Sequence, residues 1–355
     1  PGLWFGEVYR WGAAAAVYVI ARSVLTSWRS IRPLLWAMVS GLGLVSAVAL
    51  WQFLAESGPA SFIVSGALRA YGTFGTPNTL AAYIEFSAPL LIVLALFGFR
   101  STFRQRIGAP LWIAMLAVSG IGFIVLVLTQ SRGGAVGMLA ALGVIALLIP
   151  KRLLVPGVIA GAIAVVLFML TPAGEAQFER FSRGFGDPDP GTTIEHGDAL
   201  GRGSLWGAAV RMIADEPLTG IGAGEYDYHY RQYVPEWADR FPRGQAHNAW
   251  LQMGAQAGLP GIVAFSTWLV ASFASVAGAA RRATEPLGRL LAWGAMAVLV
   301  AFSLHSLVDY LNVLSLGIQI SAATAIGLAL SPDPLRSVQR KHTLANPGLR
   351  AGVSA

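Results

Sequence analysis

Long runs of apolar residues, separated by short polar segments, recur along most of the chain. A run of roughly 20 apolar residues is long enough to cross the hydrocarbon core of a bilayer as a helix. Nine such spans are predicted, near residues 11–28, 34–55, 79–99, 110–130, 133–149, 153–172, 260–280, 288–308 and 311–331. The pattern predicts an all-α polytopic membrane protein.

One long polar segment, residues 173–259, interrupts this pattern. It contains turn-forming sequence ("GDPDPG"), clustered aromatics ("EYDYHYRQYVPEW") and a helix-like stretch that Ser204 would cap and Pro217 would end. We therefore expect a small, mostly helical lobe outside the membrane. The predicted units are an N-terminal bundle of about six spans at 1–172, the lobe at 173–259, C-terminal spans at 260–331 and a basic tail at 332–355. Because the chain starts with Pro, we also expect further spans to precede it.

Charge is sparse and unevenly distributed. Charged residues make up 12% of the chain, about half the share in soluble domains. Residues 173–246 carry a net charge of −5, and the remainder carries +12. The basic residues outside the lobe cluster in short gaps between spans: Arg22, Arg29 and Arg32; Arg100, Arg104 and Arg106; Lys151 and Arg152; Arg281, Arg282 and Arg289; Arg336, Arg340 and Lys341.

These clusters all fall on one side of the membrane if each span crosses once. This is the distribution of cytoplasmic loops, and it puts the lobe on the outer face. A nucleic-acid surface would instead be concentrated on one soluble domain, so no nucleic-acid partner is expected. The absence of cysteine excludes disulfides, thiolate metal sites and a cysteine nucleophile.

Arg132, in "TQSRGGAVG", lies on the outer face, where arginine is disfavoured. It could serve only to contact lipid phosphate at the membrane edge. However, Ser131 before it and two glycines after it favour a site where backbone and a helix N-terminus approach an anion. Arg202 lies at a predicted helix start, which also favours anions.

Several further polar residues on this face have structural alternatives. Arg211 could form an exposed ion pair with Asp215, and Asn78, near Arg69, could simply cap a helix. The glycines in "GIGAG", residues 220–224, follow no strand and predict a turn. Two further residues, His305 and Asp309, have helical i, i+4 spacing and are expected to pair with each other in a structural role.

The stretch "AHNAWLQMGAQAGLPG" places His247 and Asn248 where a helix enters the membrane from the outer face. A histidine here suits a general base or a hydrogen-bond donor. The structural alternative is a residue that only starts and packs a helix. No cluster of Asp, Glu and His with metal-ligand spacing accompanies it, so neither a metal nor another cofactor is expected.

Together these stretches resemble the O-antigen ligase family, within the O-antigen ligase/polymerase superfamily of bacterial membrane glycosyltransferases. The resemblance rests on "AHNAWLQMGAQAGLPG", "TQSRGGAVG", "GRGSLWGAAVRMIADEPLTGIGAGEY" and "YGTFGTPNTLAAY", in order over about residues 65–265. It implies a GT-C-like, metal-independent enzyme of the bacterial inner membrane. Such enzymes transfer a glycan from an undecaprenyl-diphosphate carrier on the periplasmic face.

The resemblance also implies roles for particular residues. Arg132 and Arg202 would bind the diphosphate, and His247 would serve the acceptor or the leaving group. The remaining members of the predicted site are Arg69 and Arg211 at the diphosphate, with Ser131, Asn78, Asn248, Gly258 and Gly261 in support. The expected chemistry is one inverting displacement, because no enzyme nucleophile is evident.

The acceptor is left open by the sequence. A lipid A–core sugar would make the protein a ligase, a growing glycan would make it a polymerase, and a protein would make it an O-oligosaccharyltransferase. A transporter of polysaccharide or lipid-linked glycan is the alternative from another class. It is disfavoured because the charges gather at one membrane face and no two halves of the chain match.

Overall fold

The computed structural model of the protein describes residues 3–64, 67–98, 107–150, 170, 201–236, 244–311 and 314–332. Its helices are α1 Leu3–Val24, α2 Trp28–Leu54, α3 Pro77–Phe97, α4 Ala109–Leu128, α5 Arg132–Ala146, α6 Arg202–Asp215, α7 Tyr226–His229, α8 Ala249–Arg282, α9 Pro286–Ser306 and α10 Leu314–Leu328. Two 3₁₀ turns occur at Ala60–Phe62 and Tyr230–Tyr233, and a hairpin pairs β1 Ile63–Val64 with β2 Ala67–Leu68. The described part of the protein is thus all-α apart from one minimal hairpin.

Five of the described helices, α2, α3, α4, α8 and α9, are long and apolar enough to cross a membrane. The apolar helices α5 and Leu316–Leu328 are shorter. The chain is therefore a multi-pass membrane protein, while the number nine stays a prediction. Of the nine predicted spans, 153–172 lies outside the described residues except for position 170.

The first two helices divide differently from the predicted spans. α1 ends at Val24, and α2 begins at Trp28 after the N-cap Ser27, so the first predicted span, 11–28, runs past a real helix break. Ser27 and Ser30 form a capping box there. Apolar periodicity did not reveal this boundary because the cap is local hydrogen bonding between two serines.

Those predicted basic clusters that fall on described residues lie at one end of the bundle. Arg22 is in the last turn of α1, where it donates to the carbonyl of Leu328, 3.1 Å away, at the end of α10. Arg29 begins the next helix, and Arg281 and Arg282 end α8. The candidate site residues lie at the opposite helix ends, as the charge pattern predicts. The predicted clusters at 100–106, 151–152 and 336–341 are outside the described residues.

α3 and α9 form the centre of the bundle. Both are largely buried, and the rings of Phe86 and Phe302 meet edge to face with centroids 5.6 Å apart. A helix that is apolar on nearly every side is suited to such a central position. As a result, the starts of α3 and α5 converge with the end of α9.

α8 is one 34-residue helix with a sharp kink at Ala257 and Gly258. Gly258 has φ +67°, and a side chain there would lie 2.6 Å from the carbonyl oxygen of Pro217. The backbone N–H of Leu259 donates to that same carbonyl over 2.8 Å. The predicted boundary at 259/260 falls at this kink, so the segment from Ala249 to the kink is a helical arm that continues the span.

The described part of the lobe has its own small core. Leu205 and Met212 of α6, two stacked tyrosines, Tyr226 and Tyr230, and Ala255 of α8 pack together. The prediction that Ser204 caps α6 is wrong, because Gly201 is the N-cap and the helix begins at Arg202. The helix does end before Pro217, and the "GIGAG" glycines do form a turn, with positive φ at positions 220, 222 and 224.

Candidate functional site

Asp309, in the segment between α9 and α10, is the centre of a hydrogen-bonded cluster. Its side chain is only 4% exposed. Oδ1 lies 2.9 Å from His247 Nδ1 and accepts from Gln245 Nε2 at 3.1 Å and from the backbone N–H of Tyr310 at 2.8 Å. Oδ2 accepts from Asn78 Nδ2 at 2.9 Å. Four donors thus converge on one carboxylate from three parts of the chain.

This cluster keeps Asp309 ionised. Burial by itself raises the pKa of a carboxyl group, but the attraction of His247 and its hydrogen bond outweigh it and hold the pKa of Asp309 well below its usual range. An ionised carboxylate can only accept hydrogen bonds. The proton between the two side chains therefore belongs to His247 Nδ1, and in the neutral imidazole Nε2 carries the lone pair.

His247 is held in a strained backbone conformation. Its φ is +48°, in the left-handed region, where a residue other than glycine costs about 1–3 kcal/mol. Asn248 follows as the N-cap of α8: its Oδ1 accepts from the N–H of Leu251 at 3.0 Å, and its Nδ2 donates to the carbonyl of Leu307 at 2.9 Å. Asn248 thus ties the start of α8 to the end of α9, which fixes the His247 ring against Asp309.

Asn78 connects this pair to Arg69. Arg69 Nη2 donates to Asn78 Oδ1 at 2.9 Å, and its Nε donates to the carbonyl of Thr129 at 2.8 Å. The interpretation of Asn78 as a helix cap is wrong, because Thr76 caps α3 by accepting from the N–H of Thr79. Asn78, in the first turn, turns its amide to the cluster instead.

Arg202 is the first residue of α6. Its Nε is buried and has no hydrogen-bond partner among the residues that the structure describes. Burial lowers the pKa of Arg202, and the charge of Asp309 opposes this. The lobe therefore brings a partly desolvated guanidinium within electrostatic range of Asp309, and an anion would complete its hydrogen bonding.

Arg132 is the first residue of α5, and Ser131 is its N-cap, accepting from the N–H of Gly134 at 3.2 Å. The two glycines do not open the backbone to a ligand as expected. A Cβ on Gly133 would lie 2.4 Å from the His305 ring, and one on Gly134 would lie 2.6 Å from Ala81. They serve close helix packing, which seats Arg132 beside the end of α9.

The remaining predicted residues lie outside the cluster. Arg211 donates to the carbonyl of Tyr233 and braces the lobe, and no ion pair joins it to Asp215 in the described structure. The two glycines predicted to support the site shape α8: Gly258 forms the kink, and a side chain on Gly261 would lie 2.6 Å from the carbonyl of Met253. Their contribution is to aim the helical arm that carries His247.

The expected pairing of His305 with Asp309 is wrong. The His305 ring contacts Glu85 of α3 instead, and both side chains are at most 1% exposed. Glu85 is eight residues into its span, about 12 Å from the start of the helix. The expectation that charges gather only at the membrane face therefore misses a buried ionisable pair beneath the site.

Sequence reasoning missed Asp309 as a site residue, together with Glu85 and Gln245. Asp309 is 62 positions from His247, so only the packing of α9 against the start of α8 brings them together. The available signal was an acid at the predicted outer end of a span, on the same face as the histidine. Among the described residues, no group of three or more His, Asp or Glu side chains is arranged to hold a metal ion.

Part of this site lies in a region that is similar to a known protein family. Residues 117–266 match a family model described as O-antigen ligase. The matched region runs from α4 through the lobe to the kinked part of α8, and it includes Arg132, Arg202 and His247. Arg69, Asn78 and Asp309 lie outside it. No curated protein matches the chain.

Proposed function

We propose that this membrane protein, in which residues 117–266 match the O-antigen ligase family, is a glycosyltransferase-type enzyme that transfers a glycan from undecaprenyl diphosphate to a sugar hydroxyl of lipid A–core. The family supports activity on a lipid-linked glycan donor and a glycan acceptor. The undecaprenyl carrier, this acceptor and the mechanism are our proposals.

The observation that carries the proposal is the 2.9 Å contact between His247 Nδ1 and the buried Asp309 carboxylate. It leaves Nε2 as the basic nitrogen, and the His247 side chain is still 30% exposed. A histidine oriented by a carboxylate in this way is suited to accept a proton from an attacking hydroxyl. Burial of the carboxylate restrains the ring, so little reorganisation is needed when the proton moves.

The proposed step is a single displacement. The acceptor hydroxyl oxygen attacks the anomeric carbon, its proton passes to His247 Nε2, and the bond from that carbon to the diphosphate oxygen breaks. The electron pair of the broken bond leaves on undecaprenyl diphosphate. The new glycosidic bond forms on the opposite face of the ring, so the anomeric configuration inverts.

Arginines would stabilise the departing diphosphate. Arg202 offers a buried N–H that no described residue accepts, and Arg132 lies at the start of α5 beside the end of α9. Arg69 is held near the same cluster through Asn78. Fixed cations around a developing negative charge lower the barrier without further reorganisation. Arg211, which braces the lobe, would act on the diphosphate only indirectly.

The proposed location is the bacterial inner membrane, with the site on the periplasmic face. Basic residues at the opposite helix ends support this orientation, because they favour the cytoplasmic side. The cytoplasm-facing ends would include those of α1 and α8.

The test is reconstitution of the purified chain in proteoliposomes with a glycan on undecaprenyl diphosphate and lipid A–core as acceptor. We expect glycan transfer with inverted anomeric configuration, stoichiometric release of undecaprenyl diphosphate, and full rate in excess EDTA. The His247→Ala protein, equally well inserted, is the control and should be nearly inactive. Efficient transfer only to a second glycan or to a protein would replace the ligase assignment with the polymerase or protein-transferase alternative.

A further inference from the structure

Gln252, on the helical arm of α8, is a buried polar side chain that the mechanism above does not use. It is 3% exposed, although glutamine side chains are mostly exposed in proteins. Its Oε1 accepts a hydrogen bond from the backbone N–H of Ala246 at 2.7 Å. The contact runs backwards from the first turn of α8 to the residue before His247. Gln252 thus links the arm to the turn that carries the proposed base.

This hydrogen bond does not cap α8. The N-cap is Asn248, and its Oδ1 already accepts from the N–H of Leu251. Side chains that cap a helix bond to the N–H groups of its first turn or of the N-cap residue itself. Ala246 precedes the N-cap by two positions and is outside that set. The bond from Gln252 therefore stabilises the turn before the helix and not the helix start.

The two neighbours of His247 fix its strained backbone. Its φ of +48° lies in the left-handed region, which a residue other than glycine keeps only where the surrounding structure holds it. On one side, Asn248 is bonded to the end of α9. On the other side, Ala246 is fully buried in the core of the lobe, and Gln252 accepts from its N–H. The φ of His247 cannot relax without disturbing one of these neighbours.

Relaxation of this backbone would move the imidazole ring. A change of φ from +48° to the negative range that other residues prefer rotates the side chain about the backbone. The His247 ring would then leave Asp309 Oδ1, which lies 2.9 Å from its Nδ1. Misplacement of a reacting group by about 1 Å can cost on the order of 10²-fold in rate. The position of the ring therefore depends on the turn, and the turn depends on Gln252.

We propose that Gln252 is a positioning residue, which holds the N–H of Ala246 and so keeps the imidazole of His247 in place. This rests on the function proposed above, in which His247 accepts the proton of the acceptor hydroxyl. Gln252 acts only through His247, without contact to the reacting atoms. Its loss should therefore lower turnover and leave donor binding unchanged.

Turnover of the full chain in proteoliposomes, with the donor and acceptor named above, tests this role. Gln252→Met is similar in size but offers only a weak acceptor, and it should lower turnover about 10- to 100-fold with an unchanged donor dissociation constant. Gln252→Asn is one methylene too short to reach Ala246 and should behave alike, which keeps the test available if the methionine variant does not accumulate. Gln252→Glu keeps an accepting oxygen in either protonation state and should stay within about threefold of wild type.

Gln256→Met is the matched control. Gln256 lies about one turn further along the same arm and is 5% exposed. Among the described residues, no hydrogen bond joins its side chain to residues 245–248. Its variant should therefore keep wild-type turnover.

Nuclear magnetic resonance detects the position of the ring without turnover. The chain has five histidines, and in protein labelled with nitrogen-15 histidine the signal of His247 is identified by its absence from His247→Gln. The Nδ1 proton bonded to a carboxylate should give a downfield resonance in the wild type. That resonance should be lost or weakened in Gln252→Met and retained in Gln252→Glu and Gln256→Met.

Wild-type turnover or an unchanged resonance in both Gln252→Met and Gln252→Asn would overturn the proposal, as would an equal loss in Gln256→Met. So would a further loss of turnover when Gln252→Met is added to His247→Gln, because a positioning residue has no effect once the base is gone. If the resonance behaves as expected but the wild-type protein transfers no glycan, Gln252 still positions the ring and the function proposed above fails.

Discussion

At the scale of single residues, the environment of His247 decides what it can do. The imidazole contacts a buried carboxylate through Nδ1 and keeps part of its ring accessible. Its backbone lies at φ +48°, a conformation that the fold must stabilise elsewhere. Together these features support the proposal that His247 acts as a restrained base and does more than start a helix.

Replacing His247 should slow turnover without preventing donor binding. His247→Ala should lower the rate by about 10²–10⁴-fold with donor binding nearly intact. Transfer rates and donor-binding curves of the wild type and the variant, measured side by side, check this.

His247→Gln is the informative control, since it retains hydrogen bonding and loses the basic nitrogen. Its residual activity should be low. A glutamine variant with wild-type rate would leave His247 only a positioning role.

Arg132→Ala should abolish most transfer while the protein still inserts. Loss of a charge-assisted phosphate contact costs about 2–5 kcal/mol, or roughly 30-fold or more in rate. Arg132→Lys should restore little, because an ammonium cannot form the planar fork of a guanidinium. Arg211→Ala is a suitable comparison, since that arginine contacts the Tyr233 carbonyl within the lobe. Wild-type turnover in folded Arg132→Ala protein would remove this arginine from the site.

The sequence identifies several of the candidate site residues, but it does not identify the contacts between them. Arg132, Arg202 and His247 stand out because polar residues of these types are unexpected beside apolar spans. Asp309 does not stand out, because its distance of 62 positions from His247 is closed only by tertiary packing. Asn78 was ambiguous for a related reason: a helix-start asparagine looks like a cap until Thr76 is seen to occupy that position.

At the scale of elements, glycines set how closely helices approach around the site. α5 presents Gly133 and Gly137 to His305 and Glu85, which allows α5 and α9 to pack tightly. The sequence analysis instead predicted that the two glycines after Arg132 let the backbone approach a ligand. A glycine pair allows close approach but does not specify whether a ligand or another helix is the neighbour. The kink at Gly258 was likewise hidden, because it depends on the carbonyl of Pro217 in a neighbouring loop.

Gly137→Ala should destabilise the bundle. Its Cβ would lie 2.2 Å from Glu85 Oε2 and 3.0 Å from the carbonyl of Ala301, so the helices must shift. Overpacking of this kind costs about 1–3 kcal/mol. The expected result is a clearly lower midpoint of thermal unfolding in detergent.

Gly143→Ala provides the matched control on the same helix. No atom outside its own helix turn lies within 4 Å of the added Cβ, and alanine is favoured over glycine in a helix by about 1 kcal/mol. Its unfolding midpoint should stay equal or rise. Equal destabilisation by both substitutions would show that glycine itself, rather than contact with Glu85, matters along α5.

At the scale of the whole molecule, the bundle has two chemically different ends. Arg29, Arg281 and Arg282 lie at one end, and the cluster around Asp309, to which Arg69 is joined through Asn78, lies at the other. The basic clusters that the sequence places between spans agree with this arrangement where the structure describes them. The sequence predicted the number and limits of spans less well, since the described helices begin and end at local caps and kinks.

The two ends should be accessible from opposite sides of the membrane. Ser27 and Ser57 are both exposed, at opposite ends of α2, and the chain has no native cysteine. In spheroplasts, an impermeant maleimide should label Ser57→Cys and leave Ser27→Cys unlabelled until the membrane is permeabilised. The reverse pattern would put the catalytic cluster on the cytoplasmic side and refute the proposed location.

The central claim is that His247 and Asp309 act as one unit in glycan transfer. A double-mutant cycle of turnover in proteoliposomes tests it, using His247→Gln, Asp309→Asn and the double variant, each with verified donor binding. Residues that act as a unit give strongly non-additive losses, so the double variant should be about as slow as His247→Gln alone. Losses that multiply, or an Asp309→Asn protein with wild-type turnover, would contradict the account.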